Sequence, residues 1–384
     1  MNHRQRSILT SLAIVGIFLV VQIGAVAMVE PFQDAGHQEV ENTNNPGISV
    51  AYILGILVAT GLMLLGMNYG GESVLRSVII FSVAYLSFFV FQIFASRLLG
   101  DAASSTTVSG AAALAALALA VLLYLYPEWY VIDAAGILVG IGAAGLFGIN
   151  LGILPVLVLL GGLAVYDAIS VYGTEHMLTL ASGVMDMRVP VVFVVPLSLS
   201  YSFLDAEMPD PVEDEDGEGE GSDPNTEEDA LDPETVGPET LNDLGPAEIE
   251  AREEELSGLE LDEAEIETLD EDVREALEDI GGKRDAMFIG LGDAVMPTVL
   301  VASAATFVDA GSAFTLLGVS ASLPVLLAMA GTTVGLVILL WMVQQGRAHA
   351  GLPLLNGGAI AGYLLGALIS GLTLVEALGL DSFL

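Results

Sequence analysis

Two aspartates interrupt stretches of sequence that are otherwise almost entirely apolar. Asp167 follows Leu163-Ala164-Val165-Tyr166, and Asp293 follows Gly290-Leu291-Gly292. A carboxylate at membrane depth costs a few kcal/mol, so such residues usually mark catalysis or ion handling. The glycines before Asp293 also weaken a helix locally and allow another backbone to approach closely.

Two carboxylates held close together at low dielectric cannot both ionise, and the pair then shares one proton. One carboxylate can act as general base on a water, while the other acts as general acid towards a carbonyl oxygen and then the leaving amine. This is the arrangement of an aspartic protease. The alternative is a cation- or proton-coupled transporter, which would predict inverted repeats. No Gly-x-Gly-Asp string occurs before residue 290 to supply such a repeat.

Several other chemistries are excluded by residue type. The chain has no cysteine, which excludes thiolate nucleophiles, disulfides and cysteine-ligated metals. None of the four histidines is followed directly by glutamate, so no His-Glu-x-x-His zinc site exists. We expect no metal or organic cofactor. The net charge of −39 also argues against a nucleic-acid partner.

The elements that must position the aspartates are membrane helices. The chain is 54% hydrophobic, and its apolar residues run in long blocks. A membrane span needs about 20 apolar residues. We therefore predict an all-α polytopic membrane protein with nine transmembrane helices, and we interpret the first as a retained span because it is too long for a secretory signal. The predicted spans are 8–29, 48–68, 74–96, 107–126, 130–149, 151–172, 286–308, 316–342 and 352–373.

The basic residues predict how the spans are oriented. If the N-terminus is cytoplasmic, nine of the ten basic residues fall on the cytoplasmic side, and only Arg97 lies outside. This orientation places the C-terminus outside, and we expect a plasma-membrane protein. Asp167 then lies roughly 24 Å into span six, and Asp293 roughly 10 Å into the antiparallel span seven, at 1.5 Å per residue. Both acids are therefore expected at similar depth in the cytoplasmic half of the bilayer.

We predict four regions: an N-terminal membrane part (1–173), a connector (174–200), an acidic cytoplasmic loop between spans six and seven (201–285) and a C-terminal membrane part (286–384). The loop holds 34 of the 49 acidic residues, so it repels itself and is expected to be largely disordered. A solvated linker is favoured over a regulatory tail. The lysine-poor, acid-rich composition resembles that of proteins from salt-saturated cytoplasm.

The connector contains two patterns. Residues 177–187 are amphipathic and compatible with a helix. Residues 189–196 are β-branched and bounded by prolines, as in an edge strand that could capture an unwound peptide by β-augmentation. The other interpretation, which we favour on sequence alone, is a connector packed on the cytoplasmic face.

The aspartate motifs resemble those of a known family. Tyr166-Asp167 in one span and Gly290-Leu291-Gly292-Asp293 in the next resemble the paired motifs of the presenilin and signal peptide peptidase family of intramembrane aspartyl proteases. The run from Tyr166 to Tyr172, with Glu175-His176-Met177-Leu178, is similar to presenilin and its archaeal homologues. Nine spans with a long loop between spans six and seven also fit this family.

The resemblance implies that Asp167 and Asp293 are the catalytic pair, with Tyr166, Gly290, Leu291 and Gly292 shaping the site beside them. Its substrates would be single-span membrane proteins or signal-peptide-like segments within the bilayer. The family's third motif, Pro-Ala-Leu, corresponds to Ala350-Gly351-Leu352-Pro353 here. Leu352 and Pro353 match, but the first proline and the alanine are replaced. A non-catalytic scaffold of the same fold therefore remains an alternative.

Two further features have structural interpretations. Gly358, Gly362, Gly366 and Ser370 recur every four residues and predict a close helix contact, for which the aspartate helices are one candidate partner. Asp133 lies early in span five and is interpreted as a carboxylate near a helix N-terminus.

Overall fold

The computed structural model describes residues 3–40, 42–68, 72–100, 103–173, 189–197, 201–203, 238–244, 249, 268–270, 273–274, 286–311, 314–316, 319–343 and 350–380. The chain divides into two units. One comprises Met1–Pro211 with Met287–Leu384, and the other comprises Val212–Ala286. The amphipathic segment predicted at 177–187 and most of the acidic loop lie outside the described residues.

The first half of the larger unit consists of six long apolar helices, which are long because their uninterrupted apolar runs suit a bilayer. They are α1 (His3–Asp34), α2 (Pro46–Asn68), α3 (Glu72–Leu99), α4 (Ser105–Leu125), α5 (Trp129–Asn150) and α6 (Ile153–Gly173). A short strand, β1 (Val192–Pro196), follows them. The strand lies within the β-branched segment of the connector.

In the smaller unit, the described residues include one short helix, α7 (Pro238–Leu244). Asn242 joins this helix to a later segment. Its Nδ2 donates to the carbonyl oxygen of Thr268 at 3.1 Å, and its Oδ1 accepts from the amide of Asp270 at 2.9 Å.

The second half of the larger unit contains both helices and short strands. Strand β2 (Ala286–Gly290) leads directly into helix α8 (Leu291–Phe307). A hairpin follows, and three more helices complete the described chain. These elements are β3 (Phe314–Leu316), β4 (Val319–Ala321), α9 (Leu323–Val343), α10 (Gly351–Ile369) and α11 (Leu374–Ala377).

The prediction of an all-α protein is wrong in detail. Residues 286–290, predicted as the start of span seven, form a strand that pairs with β1. The glycines at 290 and 292 disfavour an earlier helix start, and the amide of Leu291 donates to the carbonyl oxygen of Val191 at 2.8 Å. The start of span eight, predicted at residue 316, is likewise occupied by the antiparallel β3–β4 hairpin. The fold is mostly helical, with two short sheets.

The predicted membrane character is confirmed. Among the described residues, eight helices are long and apolar enough to cross a membrane. Helix α8 is also apolar but has only 17 residues. Because β2 uses the first five residues of the predicted seventh span, the helix that carries Asp293 is shorter than its neighbours. The chain is therefore a polytopic membrane protein.

Helix α5 lies at the centre of the larger unit, and its glycines let neighbouring elements approach closely. A Cβ at Gly136 would lie 2.8 Å from the Phe193 ring of β1, and one at Gly140 would lie 3.0 Å from Val21 of α1. Such contacts between small residues are typical of helix packing in membranes. They hold α1 and β1 against α5.

Helices α9 and α10 pack with their backbones in contact. A Cβ on Gly358 would collide with the carbonyl oxygen of Gly331, and one on Gly362 would collide with that of Leu327. The predicted row of small residues therefore does form a close helix contact. Its partner is α9, however, and not the helices that carry the aspartates.

Candidate active site

Asp167 lies near the C-terminal end of α6 and is almost completely buried, with 6% of its surface exposed. Its Oδ2 accepts a hydrogen bond from the amide of Leu352 at 3.0 Å. The amide of Gly351 also donates to this carboxylate. Both amides belong to the first turn of α10, where helical N–H groups have no partner within the helix. Asp167 therefore caps the N-terminus of α10, and the helix dipole there favours a negative charge.

Asp293 occupies the first turn of α8 and is half-buried. Its carboxylate lies against the α-carbon of Gly351, because a Cβ there would be 3.3 Å from Oδ2 and 3.4 Å from Oδ1. It is also close enough to Asp167 for the two charges to interact. The two carboxylates thus converge on residues 351–352, although they are more than 120 residues apart in the sequence.

The glycines before Asp293 differ in their surroundings. A Cβ at Gly290 would lie 3.3 Å from Oδ2 of Asp293, whereas one at Gly292 would meet no atom within 4 Å. Leu291 packs against the buried core, while its amide bonds to β1. Gly292 is exposed and leaves open space at its own position in the first turn of α8.

The other predicted site residues lie near this centre in different ways. Tyr166 is half-buried beside Asp167 in α6. Leu352 contributes its amide to Asp167, and its side chain packs against the core. Pro353 is the third residue of α10, in the turn where a missing N–H breaks no helical hydrogen bond.

The small sheet beside Asp293 has two different edges. The carbonyl of Val191 faces β2, and strand alternation then directs the backbone of Val194 the opposite way. The amide of Val194 donates to Oδ1 of Asp133 at 2.8 Å, which closes the outer edge of β1. The outer edge of β2, at Phe288 and Gly290, has no neighbouring strand among the described residues.

Sequence reasoning missed the role of two buried acids at the start of α5. Asp133, 8% exposed, was interpreted only as a helix-terminal carboxylate, yet it anchors β1. Glu128 accepts from the hydroxyl of Ser202 at 2.8 Å and the amide of Phe203 at 3.0 Å. An acid inside an apolar span was a visible sign that Asp133 has a partner, but the sequence did not show that the partner lies on β1.

Comparison with known proteins identifies the family. The model of the family described as "Signal-peptide peptidase, presenilin aspartyl protease" matches residues 15–222 and 256–372, which is more than half of the chain. The chain belongs to this family. None of the curated protein sequences matches it.

Two solved structures resemble this presenilin-family chain along nearly its whole length. One is a presenilin family intramembrane aspartate protease in space group C222, with 29% identity, a TM-score of 0.55 and coverage of 94% of this chain and 99% of that one. The other is a presenilin family intramembrane aspartate protease in space group P2, with 30% identity, a TM-score of 0.54 and coverage of 93% and 97%.

Family membership and these structural neighbours support an intramembrane aspartyl protease and not a transporter. The resemblance inferred from the two aspartate motifs is therefore confirmed at the level of the family. The multi-pass membrane character agrees with the apolar helices.

Proposed function

We propose that the chain hydrolyses peptide bonds of transmembrane helical segments, with Asp167 and Asp293 as its catalytic pair. The observation that carries this proposal is the convergence of both carboxylates on Gly351 and Leu352. Two acids that converge on one point can activate one water against one peptide bond.

The two carboxylates have different surroundings, which suggests different roles. Asp167 accepts the amide of Leu352 at the N-terminus of α10, a contact that suits a carboxylate. Asp293 has no hydrogen bond to another described residue and lies next to a like charge. In the proposed reaction, Asp167 removes a proton from water, and Asp293 protonates the carbonyl oxygen. As the tetrahedral intermediate collapses, Asp167 passes its proton to the leaving amine and a hydroxyl proton of the intermediate returns to Asp293, so both carboxyl groups regain their starting states.

A substrate helix must first unwind, because its scissile carbonyl is otherwise held in helical hydrogen bonds. The outer edge of β2, directly before Asp293, has no strand beside it in the described part of the chain. We propose that an extended substrate segment pairs with this edge by β-augmentation. The sequence had suggested residues 189–196 for this role, but Asp133 occupies the outer edge of β1 at Val194.

The topology we propose has nine spans, with α8 as the seventh, and places the N-terminus and acidic loop in the cytoplasm. The four regions predicted from the sequence belong to the same proposal. The end of α6 and the start of α10 then lie on the cytoplasmic side, from which water reaches the aspartates. A plasma-membrane location and single-span or signal-peptide-like substrates belong to the same proposal.

The non-catalytic scaffold is less well supported than the protease. Its main argument was the loss of the first proline of the Pro-Ala-Leu motif. In the structure, the amide of Leu352 bonds to Asp167 without that proline. Ala350, at the position of that proline, has a φ of −66°, close to the value that a proline would fix.

The proposal is tested by incubating the purified protein in liposomes with a labelled transmembrane peptide. Asp167→Ala and Asp293→Ala should each lower the cleavage rate by a factor on the order of a thousand or more, as expected for loss of an acid or a base. Asp309→Ala, at an exposed loop position, is the control and should cleave as the wild type does. Cleavage that survives either site substitution would end the proposal, and ion flux without cleavage would favour the transporter.

A further inference from the structure

Helix α10 delivers both amides to Asp167, so its axial position decides whether the site is assembled. On one side it packs against α9 through glycines whose α-carbons touch the opposite backbone. Close contacts between small residues are typical of helix packing in membranes. A polar contact on the opposite side of α10 can add to this packing in fixing the helix along its axis.

On its other side, α10 carries a buried amide at Asn356, whose side chain is 0% exposed. Its Nδ2 donates to the carbonyl oxygen of Leu160 in α6 at 3.0 Å. Because a carbonyl only accepts, the amide nitrogen must face Leu160. The Oδ1 of Asn356 is buried and has no hydrogen-bond partner among the described residues.

The Asn356 contact lies on the same two helix faces as the Asp167 contact. Asn356 is four residues after Leu352, and Leu160 is seven residues before Asp167, so each pair shares one face of its helix. The carbonyl of Leu160 also points towards the C-terminal end of α6, in the direction of Asp167. Helices α6 and α10 are thus joined at two places, by amides of α10 at Asp167 and by the Asn356 side chain at Leu160.

Stability alone does not explain Asn356. An apolar side chain of the same shape would leave no buried oxygen without a partner, and such a replacement is often neutral or stabilising. A single buried asparagine can instead fix the register of packed helices at a cost in stability. We propose that Asn356 is a positioning residue, which sets the register of α10 against α6 and so holds the first turn of α10 on Asp167.

The consequence for activity rests on the proposed protease function. A slip of α10 along the glycine surface of α9 would carry the Leu352 amide away from Asp167 and Gly351 away from Asp293. A misplacement of about 1 Å can cost on the order of a hundredfold in rate. Asn356 itself lies below the aspartates and touches neither, so its loss should lower kcat and leave KM unchanged.

The experiment compares Asn356→Leu, which keeps the shape and removes the donor, with Thr332→Val as a matched control. Thr332 is also fully buried, but its hydroxyl bonds to Ala328 within α9, so it joins no two helices. Two readouts are measured in liposomes: the kcat and KM for a labelled transmembrane peptide, and the distance between spin labels on α6 and α10. Because the chain has no cysteine, labels can be placed at Val165→Cys and Leu365→Cys, which are both exposed.

We expect Asn356→Leu to lower kcat by about ten- to a hundredfold, with an unchanged KM and a thermal midpoint at or above that of the wild type. The label distance should shift or broaden in this variant and stay unchanged in Thr332→Val. An unchanged label distance, or an equal loss of kcat in the control, would overturn the proposal. If the wild type cleaves no peptide, the protease function fails, and the label distances still decide the role of Asn356.

Discussion

The two aspartates reach the same point from regions of very different construction. Asp167 lies near the end of an uninterrupted 21-residue helix, is almost completely buried and is bonded to the amides of α10. Asp293 lies in the first turn of a 17-residue helix, directly after a strand, and is half-buried. One acid is held by its neighbours, and the other is placed at a junction of two elements.

Under the proposed function, this difference gives the two regions different roles in the reaction. A carboxylate fixed by amides suits a group that must hold charge and orient a water. A carboxylate at a strand–helix junction suits a group that must meet an incoming backbone, because the open edge of β2 leads directly to it. Activation of water would then belong to the wall of Asp167, and substrate capture with protonation of the carbonyl oxygen to the wall of Asp293.

The strongest test of this comparison is the effect of each alanine substitution on folding. Asp167→Ala leaves the amide of Leu352 without its acceptor, which should cost about 1–3 kcal/mol of unfolding free energy. Asp293→Ala removes a half-buried carboxylate beside a like charge, so its stability should equal or exceed that of the wild type. Unfolding of the detergent-solubilised proteins with increasing SDS measures both. An equal loss of unfolding free energy in the two variants would contradict the contrast between a bonded and an unbonded carboxylate.

The next test addresses the open edge of β2. Phe288→Pro removes an N–H that points away from β1, so the pairing of β1 with β2 should survive. If substrate binds this edge, kcat/KM should fall about tenfold or more, which corresponds to about 1.4 kcal/mol. Cleavage of the labelled transmembrane peptide measures the effect.

The control for this test is Phe288→Ala, which keeps the N–H and loses the ring that contacts Phe203. The ratio of kcat/KM between the proline and alanine variants therefore reports the loss of the backbone N–H and not the loss of the side chain. If the proline and alanine variants cleave at the same rate, substrate does not pair with β2. The comparison between the wall of Asp167 and the substrate-binding wall of Asp293 would then fail.

Much of this site could be predicted from the sequence, because its carboxylates are conspicuous in apolar spans. The similar depth expected for Asp167 and Asp293 agrees with their convergence, and the glycine row of α10 was recognised as a helix contact. The helix contact could be predicted because residue size leaves a direct trace in the sequence of a membrane protein, whereas the shared depth of the two acids stays a prediction.

Contacts made by backbone groups could not be predicted in the same way. The amides of Gly351 and Leu352 bind Asp167 whatever their side chains are, and the lost Pro-Ala residues gave a misleading signal about them. Residues 286–290 are apolar and fit a helix or a strand equally well, so only their distant partner β1 decides between the two. Asn356 was overlooked because a single amide among glycines has no periodic pattern.

The smallest expected effect comes from a carboxylate that makes the same kind of contact in water. Glu376 accepts hydrogen bonds from the amide and the hydroxyl of Thr373, both at 2.8 Å, at the start of α11. The hydrogen bond from the Thr373 amide lowers the pKa of Glu376 below its ordinary value. The stabilisation is therefore present above the pKa of the unfolded chain and is lost as the pH falls through the lower, folded-state pKa.

Because Glu376 is exposed, solvent screens its contacts, and Glu376→Gln should change the unfolding midpoint at pH 7 far less than Asp167→Ala does. Acidification through the pKa of Glu376 should destabilise the wild type slightly more than this variant. The unfolding midpoints of the wild type, Glu376→Gln and Asp167→Ala, measured at several pH values, test both expectations. If Glu376→Gln were as costly as Asp167→Ala, hydrogen bonding to a helix N-terminus would explain Asp167 without its burial. The contrast between the Asp167 wall and the Asp293 wall would then lose its physical basis.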